Sequence, residues 1–246
     1  VPHLSYYADG ALQHAWCTNE GWVTEIVESG LARASAIVVD SQNRARIVYA
    51  GSAGYDRMLK YAAWDGTAWA IEPLMSWSGT DLAFALDAAD NPHIFLSNKY
   101  ISCVEGAWVM ETIHSGGSTY QGASLALDSA GQPHITFTML EEASYRLKYG
   151  KRVGATWYFE TAALATGDTC LLLDSLDRPH IVTYVYGSPY GSGLGYVAKP
   201  GSVWQTEMVA TCGYGSDRSL VLDSEGHPVI AYAFENELRR ATRSSG

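Results

Sequence analysis

The sequence predicts an all-β fold, a β-propeller of six blades with four antiparallel strands each, the first and last blades incomplete. Two observations carry this. A hairpin unit recurs: "VVDSQNRARIVY", "ALDAADNPHIFL", "LALDSAGQPHITFTM", "LLDSLDRPHIVTY" and "VLDSEGHPVIAY", with turn aspartates Asp40, Asp87, Asp128, Asp174 and Asp223 spaced 47, 41, 46 and 49 residues apart. A tryptophan follows each small turn after the hairpin, at Trp22, Trp69, Trp108, Trp157 and Trp204. Two landmarks in fixed order at a period in the mid-forties mark a repeat architecture.

Each period holds four short runs rich in β-branched and aromatic residues, bounded by Gly, Asp, Asn or Pro. In one period strand A is "SLALD", strand B "PHITFT", strand C "RLKYG" and strand D "TWYFETA". A four-stranded unit cannot bury its faces alone, so units stack around an axis. The chain opens on strands B, C and D and ends on A, B and C. Twenty-two strands are therefore expected in a single domain over residues 1–246. The absent D-plus-A segment would precede or follow this sequence in a longer precursor, and six and seven blades both stay open. Alternatively the ring closes imperfectly, and Arg239, Arg240 and Arg243 would then sit on an uncovered edge, where charge discourages pairing.

The hairpin residues read as scaffold. Asp at the end of strand A can accept bonds from amides two residues on. Gly131 and Gly226 supply positive φ, with Asn43 or Asp90 standing in. Pro2, Pro92, Pro133, Pro179 and Pro228 start strand B, where no ladder donor is needed. The histidine after Pro recurs as His3, His93, His134 and His180, with Arg46 and Val229 elsewhere. A catalytic histidine is not spread around a ring, so a structural role with backbone partners between blades is expected.

Composition narrows the function. The 246 residues carry 16 basic and 26 acidic side chains, a net charge of −10, which argues against nucleic acid and anionic membranes. No apolar run approaches the roughly 18 residues of a membrane span. The first residue is Val, so the chain reads as a mature or trimmed product. Cys17, Cys103, Cys170 and Cys212 form no C-x-x-C pair, which disfavours zinc. A Cys170–Cys212 bridge and free buried thiols are both conceivable. Few lysines beside many Tyr, Trp, Ser and Gly suggest a secreted or cell-surface protein. No cofactor is expected. Ca²⁺ is possible at Asp-rich turns, although no loop shows the alternating oxygen ligands of a dedicated site.

Units of the form L-D-S-x-G-x-P-H-I-x-Y … L-K-Y-A … G-x-x-W-x-x-E resemble tandem propeller repeats of bacterial secreted and surface proteins. "SLALDSAGQPHITF", "MLKYAAWDGTAWAIE" and "RLKYGKRVGATWYFE" carry the likeness. The rhythm is also broadly similar to six-bladed fucose-binding propeller lectins, whose pockets use Arg, Glu and Trp. That triplet does not recur in every blade here. "AAWDGTAW" comes near a sialidase-type Asp box at Asp65, Gly66 and Trp69, but lacks its Ser and reads better as a tight C–D turn.

The resemblance fixes fold more than function. Function is expected on the B–C and D–A loops, read as longer and more variable than the A–B and C–D turns. The D–A loops are Glu28–Ser35, Met75–Asp81, His114–Ala123, Leu164–Asp168 and Ala210–Arg218. The B–C loops include Gly51–Arg57, Leu140–Tyr145 and Gly187–Ser192. Aromatic rings stack on sugar faces while polar groups bond hydroxyls. Trp77 and Tyr120 are the candidate platforms, with Tyr55, Tyr190 and Tyr214 beside them. Asp81, Asp217 and Arg218 are candidate hydroxyl ligands. A glycan- or glycoprotein-binding module ranks first and a structural or protein-interaction subunit second. A carbohydrate-active enzyme ranks third: a glycosidase could draw on Glu141, Glu142, Asp81 and Asp168, and a lyase on His114 with Tyr120.

Overall fold

The computed structural model describes residues 1–53, 56–77, 79–113, 120–187, 191–211, 213 and 217–243. The chain forms two compact units, Val1–Glu111 and Thr112–Gly246. In the first, β1 (His3–Ala8), β2 (Ala11–Thr18) and β3 (Gly21–Ser29) make a three-stranded sheet. β4 (Leu31–Val39), β5 (Ala45–Ala53), β6 (Asp56–Trp64) and β7 (Trp69–Ser76) make a four-stranded one. So do β8 (Leu82–Leu86), β9 (Pro92–Leu96), β10 (Lys99–Val104) and β11 (Ala107–Thr112).

The second unit holds a seven-stranded sheet. Its strands are β12 (Tyr120–Leu127), β13 (Pro133–Glu141), β14 (Ser144–Val153), β15 (Thr156–Leu173), β16 (Pro179–Gly187), β17 (Gly191–Ala198) and β18 (Gln205–Ala210). The 18-residue β15 is strand D of one blade and strand A of the next, so this sheet is two blades in series. β19 (Arg218–Leu222), β20 (Pro228–Phe234) and β21 (Glu237–Thr242) form the last sheet. With β15 counted twice, the described strands match the expected twenty-two. All the pairings are antiparallel between strands consecutive in sequence.

Strand B is the most buried strand of a blade, and its polar residues, such as His134, Thr136 and Thr138, are buried with its apolar ones. β13 is buried from Pro133 through Met139. Ile47, Tyr49 and Leu12 fill the core between the first two sheets; Val48, Leu59, Ile94 and Leu96 fill the next. In the second unit Leu147, Ile181, Val185 and Val197 form one such layer, and Val182, Leu194, Leu220 and Ile230 another. Each such side chain contributes about 1.5–3 kcal/mol by leaving water.

The A–B turns follow the expected chemistry. The Asn43 amide donates to the Asp40 carbonyl (2.9 Å), and Asn43 takes φ 58°. Asp90, Gly131, Asp177 and Gly226 repeat that left-handed position. Asp128 Oδ1 accepts from the Ala130 and Gln132 amides (3.0 and 2.8 Å), and the other four turn aspartates do the same two and four residues on. Pro92, Pro133, Pro179 and Pro228 each open a strand.

The loops on the opposite end differ from expectation. The Glu28–Ser35 loop is a single Gly30 at φ 117° between β3 and β4, and Leu164–Asp168 lies inside β15. The Leu140–Tyr145 loop is a two-residue hairpin in which Glu142 and Ala143 both have positive φ, the type I′ geometry that matches strand twist. What looks like loop is instead a β-bulge, at Ala32/Ser35, Gln121/Ser124 and Thr166/Thr169 in the A strands β4, β12 and β15; the A strand β8 pairs without one. A bulge adds one residue without leaving the sheet.

Candidate functional site

The repeated histidines are structural, but their partners are side chains rather than backbone, those of His93, His134 and His180 in their own blade and those of His3 in its own and the next. His134 is 1% exposed; its Nε2 lies 3.3 Å from Asp128 Oδ2 and its Nδ1 2.5 Å from the Tyr149 hydroxyl. The carboxylate can only accept, so Nε2 donates to it and Nδ1 accepts from Tyr149. His93 and His180 bridge Asp87 to Tyr100 and Asp174 to Tyr196 in the same way. Burial pushes the His134 imidazole below its ordinary value and the Tyr149 hydroxyl well above its own. Buried, with both ring nitrogens engaged, His134 serves as a strut between Asp128 and Tyr149. In the first sheet His3 bonds His14 (2.9 Å), and His14 bonds Glu25 (2.9 Å).

The tryptophans lock neighbouring blades. The indole N–H of Trp69 donates to Glu25 (3.2 Å), that of Trp108 to Glu72 (2.8 Å) and that of Trp204 to Glu160 (2.8 Å). Each ring packs edge-on against strand C of the preceding blade, at His14, Tyr61 and Tyr149, with centroids 5.1–5.4 Å apart. Asp65 accepts from the Thr67 and Ala68 amides and holds its C–D turn, the plainer of its two readings.

The candidate sugar-binding residues fall into separate places. Trp77 is half-buried after β7; its amide donates to the Arg57 carbonyl (3.0 Å) and its ring packs on the core of Leu59, Phe84 and Ile94. Gly79 passes so close to that ring that a Cβ there would lie 2.7 Å from it. Asp81 accepts from the Thr80 hydroxyl (3.2 Å) and is half-buried. In the second unit Asp217 is exposed, and its carbonyl accepts from the Ala233 amide (3.0 Å). Arg218 opens β19 opposite Tyr232. Tyr55, Tyr190, Tyr214, His114 and Cys212 lie outside the described residues, as does the side chain of Tyr120, whose backbone begins β12. Cys17, Cys103 and Cys170 are free thiols.

A groove of about 610 Å³ opens on the B–C end of the second unit. Tyr145, Tyr184 and Tyr186 supply its rings, and Gln121, Ser144, Thr166 and Ser192 supply polar groups. Tyr184 and Tyr186 share one face of β16 as residues i and i+2. Tyr186 donates to the Tyr145 carbonyl (2.7 Å), which fixes its ring, and Thr166 donates to Gln121 Oε1 (3.4 Å). Gln121 and Thr166 flank the two bulges, which aim them into the groove. Buried threonines brace the bulges below: Thr136 Oγ1 meets Thr169 Oγ1 (2.8 Å), Thr169 donates to the Gly122 carbonyl (3.0 Å), and Thr183 donates to the Asp168 carbonyl (3.0 Å). Sequence reasoning missed Tyr184 and Tyr186 because they look like strand interior. Their i, i+2 spacing at the end of strand B was the available signal.

The carboxylates are engaged. Glu141 pairs with Lys148 (2.7 Å) and Arg146 (3.5 Å), and Glu142 pairs with Arg146 (3.3 Å). In the first unit Glu28 accepts from Lys60 (2.7 Å) and from Tyr49 (2.8 Å), a tyrosine that burial keeps protonated. Among the described residues no three His, Cys, Asp or Glu side chains converge on a metal position, and no helix is long and apolar enough to cross a membrane.

No family model and no curated protein matches the sequence. Solved structures do match in fold. A polysaccharide lyase of family PL25, an ulvan lyase bound to -[GlcA(1-4)Rha3S]-, aligns with TM-score 0.63 and 12% identity over 95% of this chain and 72% of its own. The SapL1 lectin in complex with alpha methyl fucoside aligns with TM-score 0.58 and 14% identity over 97% and 87%. TolB from Acinetobacter baumannii aligns with TM-score 0.54 and 10% identity over 97% and 62%. At these identities the likeness establishes the fold, which is all-β and of the β-propeller class.

Proposed function

We propose that this chain is a carbohydrate-binding propeller module, lectin-like or adhesin, and that the groove of Tyr145, Tyr184 and Tyr186 is a sugar site. The observation that carries the reading is three tyrosines interleaved with uncharged hydrogen-bonding groups in one shallow, open groove. Rings give sugars an apolar platform, and Gln121, Ser144, Thr166 and Ser192 offer donors and acceptors to hydroxyls. Likeness to a fucoside-binding lectin and to a lyase bound to a polysaccharide supports a glycan partner. A net charge of −10 favours neutral sugars over sulfated or uronate chains, because the molecule's own field repels polyanions. Trp77, Tyr120, Tyr55, Tyr190 and Tyr214 are proposed as further stacking residues, and Asp81, Asp217 and Arg218 as hydroxyl ligands. Such a role suits a secreted or cell-surface protein.

A glycan-array screen with and without Ca²⁺ tests this. The expected result is a neutral-glycan hit that weakens in Tyr184→Ala, and separately in Trp77→Ala or Tyr120→Ala if those residues take part. Dependence of the hit on Ca²⁺ would add the ion as a cofactor. A blank array from folded protein would overturn the reading.

The alternative of a polysaccharide-cleaving enzyme rests on the likeness to the ulvan lyase. It requires a free base in the groove, whereas Glu141 beside it is held by Lys148 and Arg146.

A further inference from the structure

We propose, on the sugar-site reading above, that the strained hairpin at Ala143 makes the groove selective for sugars carrying an acetamido group, with Ala143 as the specificity-determining residue.

Among the described residues ten other than glycine have positive φ. Nine are Asp, Asn, Ser or Glu; the exception is Ala143, at 63°. A β-carbon in the left-handed region crowds the following carbonyl. A short polar side chain can offset that by bonding locally, and a methyl group cannot. Other tight hairpins avoid the cost: Asp9–Gly10 and Glu105–Gly106 put glycine second, and Glu235–Asn236 puts asparagine there. The core does not account for the alanine, which is exposed at the tip of the β13–β14 hairpin. It lines the groove, together with Leu140, Ser144 and Tyr145. Strain kept where the fold gains nothing from it points to function.

The chemistry of this corner names the ligand. Leu140 and Tyr145 stand opposite each other across the hairpin, both half-buried. With Ala143 they give one end of the groove an apolar wall, and Ser144, the next residue, adds a hydroxyl beside it. The hydroxyls of a plain hexose would lose water against Leu140 and Ala143 without gaining a partner there. An acetamido group matches the corner: its methyl packs on Leu140 and Ala143, and its carbonyl accepts from the Ser144 hydroxyl. The group is uncharged, so the net charge of −10 does not repel it. Glycine at position 143 would relieve the turn but remove the methyl from the wall.

The test titrates the full chain with methyl glycosides of N-acetylglucosamine and N-acetylgalactosamine, each beside its parent hexose, and follows amide chemical shifts. At least one acetamido sugar is expected to bind about ten-fold tighter than its parent, the low end of what a methyl-sized group is worth against an apolar wall. Ala143→Gly should cut that preference about three-fold or more, while its denaturation midpoint does not fall, because glycine takes this φ without steric cost. Ala143→Asn, which also tolerates the left-handed turn, should cut it likewise. Shifts at Tyr184 with no preference for the acetamido sugars, or a preference that Ala143→Gly leaves intact, overturn the selectivity and leave the sugar site standing. A preference for methyl α-fucoside over methyl α-L-galactoside with none for the acetamido sugars also overturns it, since the corner would then read a bare methyl. No shift at Tyr184 with any neutral sugar overturns both.

Discussion

The two ends of a blade are built on different principles. At the A–B end the side chains repeat: Asp40, Asp87, Asp128, Asp174 and Asp223 make the same two amide bonds, and Ser41 and Ser129 each reach across to the next blade's Asp90 or Asp177 (2.6 Å from the serine hydroxyl). At the B–C end the backbone repeats, as tight hairpins and A-strand bulges, while the side chains change from blade to blade. Chemistry repeated in every blade holds blades together. Chemistry that occurs once, as in the groove of Tyr145, Tyr184 and Tyr186, is free to bind something.

The comparison breaks if substitutions at the two ends behave alike. Gly122→Ala should cost most, about 3 kcal/mol or more. Its φ is 63°, and a Cβ would lie 2.5 Å from Asp168 Cα and the Gly167 carbonyl, in backbone that has no room to move. Chemical denaturation measures this, and the loss should reach the groove as well, because the bulge aims Gln121.

Asp128→Ala follows at about 2–3 kcal/mol, since it strands two amides and His134 around a side chain only 5% exposed. Asp223→Ala in the last sheet should cost clearly less: its side chain is 41% exposed, so water replaces the lost bonds.

Acid should act on the A–B end. Burial alone would raise the Asp174 carboxyl, but the Arg178 amide and guanidinium, the Leu176 amide and His180 bring it down to about 2. Its contribution is therefore present above the unfolded value of 3.8 and lost as pH falls through the folded one. Burial lowers His134 and His180 from 6.5, so the unfolded chain takes up those protons first, and stability also declines once pH drops below 6.5. A melting series from pH 7 to pH 3 should fall throughout, with the lower part flattened in Asp174→Asn. The smallest effect expected is for Tyr186→Phe, about 1 kcal/mol for the bond to the Tyr145 carbonyl, with a proportionately larger loss in glycan binding.

Much of the scaffold end could be read from the sequence because its bonds are local. Asp128, Ala130, Gln132 and His134 lie within seven residues, and turn chemistry is written in such short spacings. The tyrosine partner was hidden: Tyr149 is fifteen residues from His134, and only strand register brings them together. The groove end was misread for a related reason. Leu164–Asp168 has the composition of a turn, yet the sheet absorbs it as a bulge, and a bulge and a loop look alike in sequence. Glu142–Ala143 carries no Asn-Gly signature, so its tight hairpin was invisible. Tyr184 and Tyr186 belong to a strand that is otherwise core, and only the three-dimensional placement of its last turn exposes them.

The most direct measurement is an amide chemical-shift map of the chain titrated with methyl α-fucoside and with a set of neutral oligosaccharides. The account predicts shifts at Gln121, Ser144, Tyr145, Tyr184 and Tyr186 and silence along Asp128–Gln132. Shifts confined to the A–B turns, with the groove unperturbed by a sugar that binds, would contradict it.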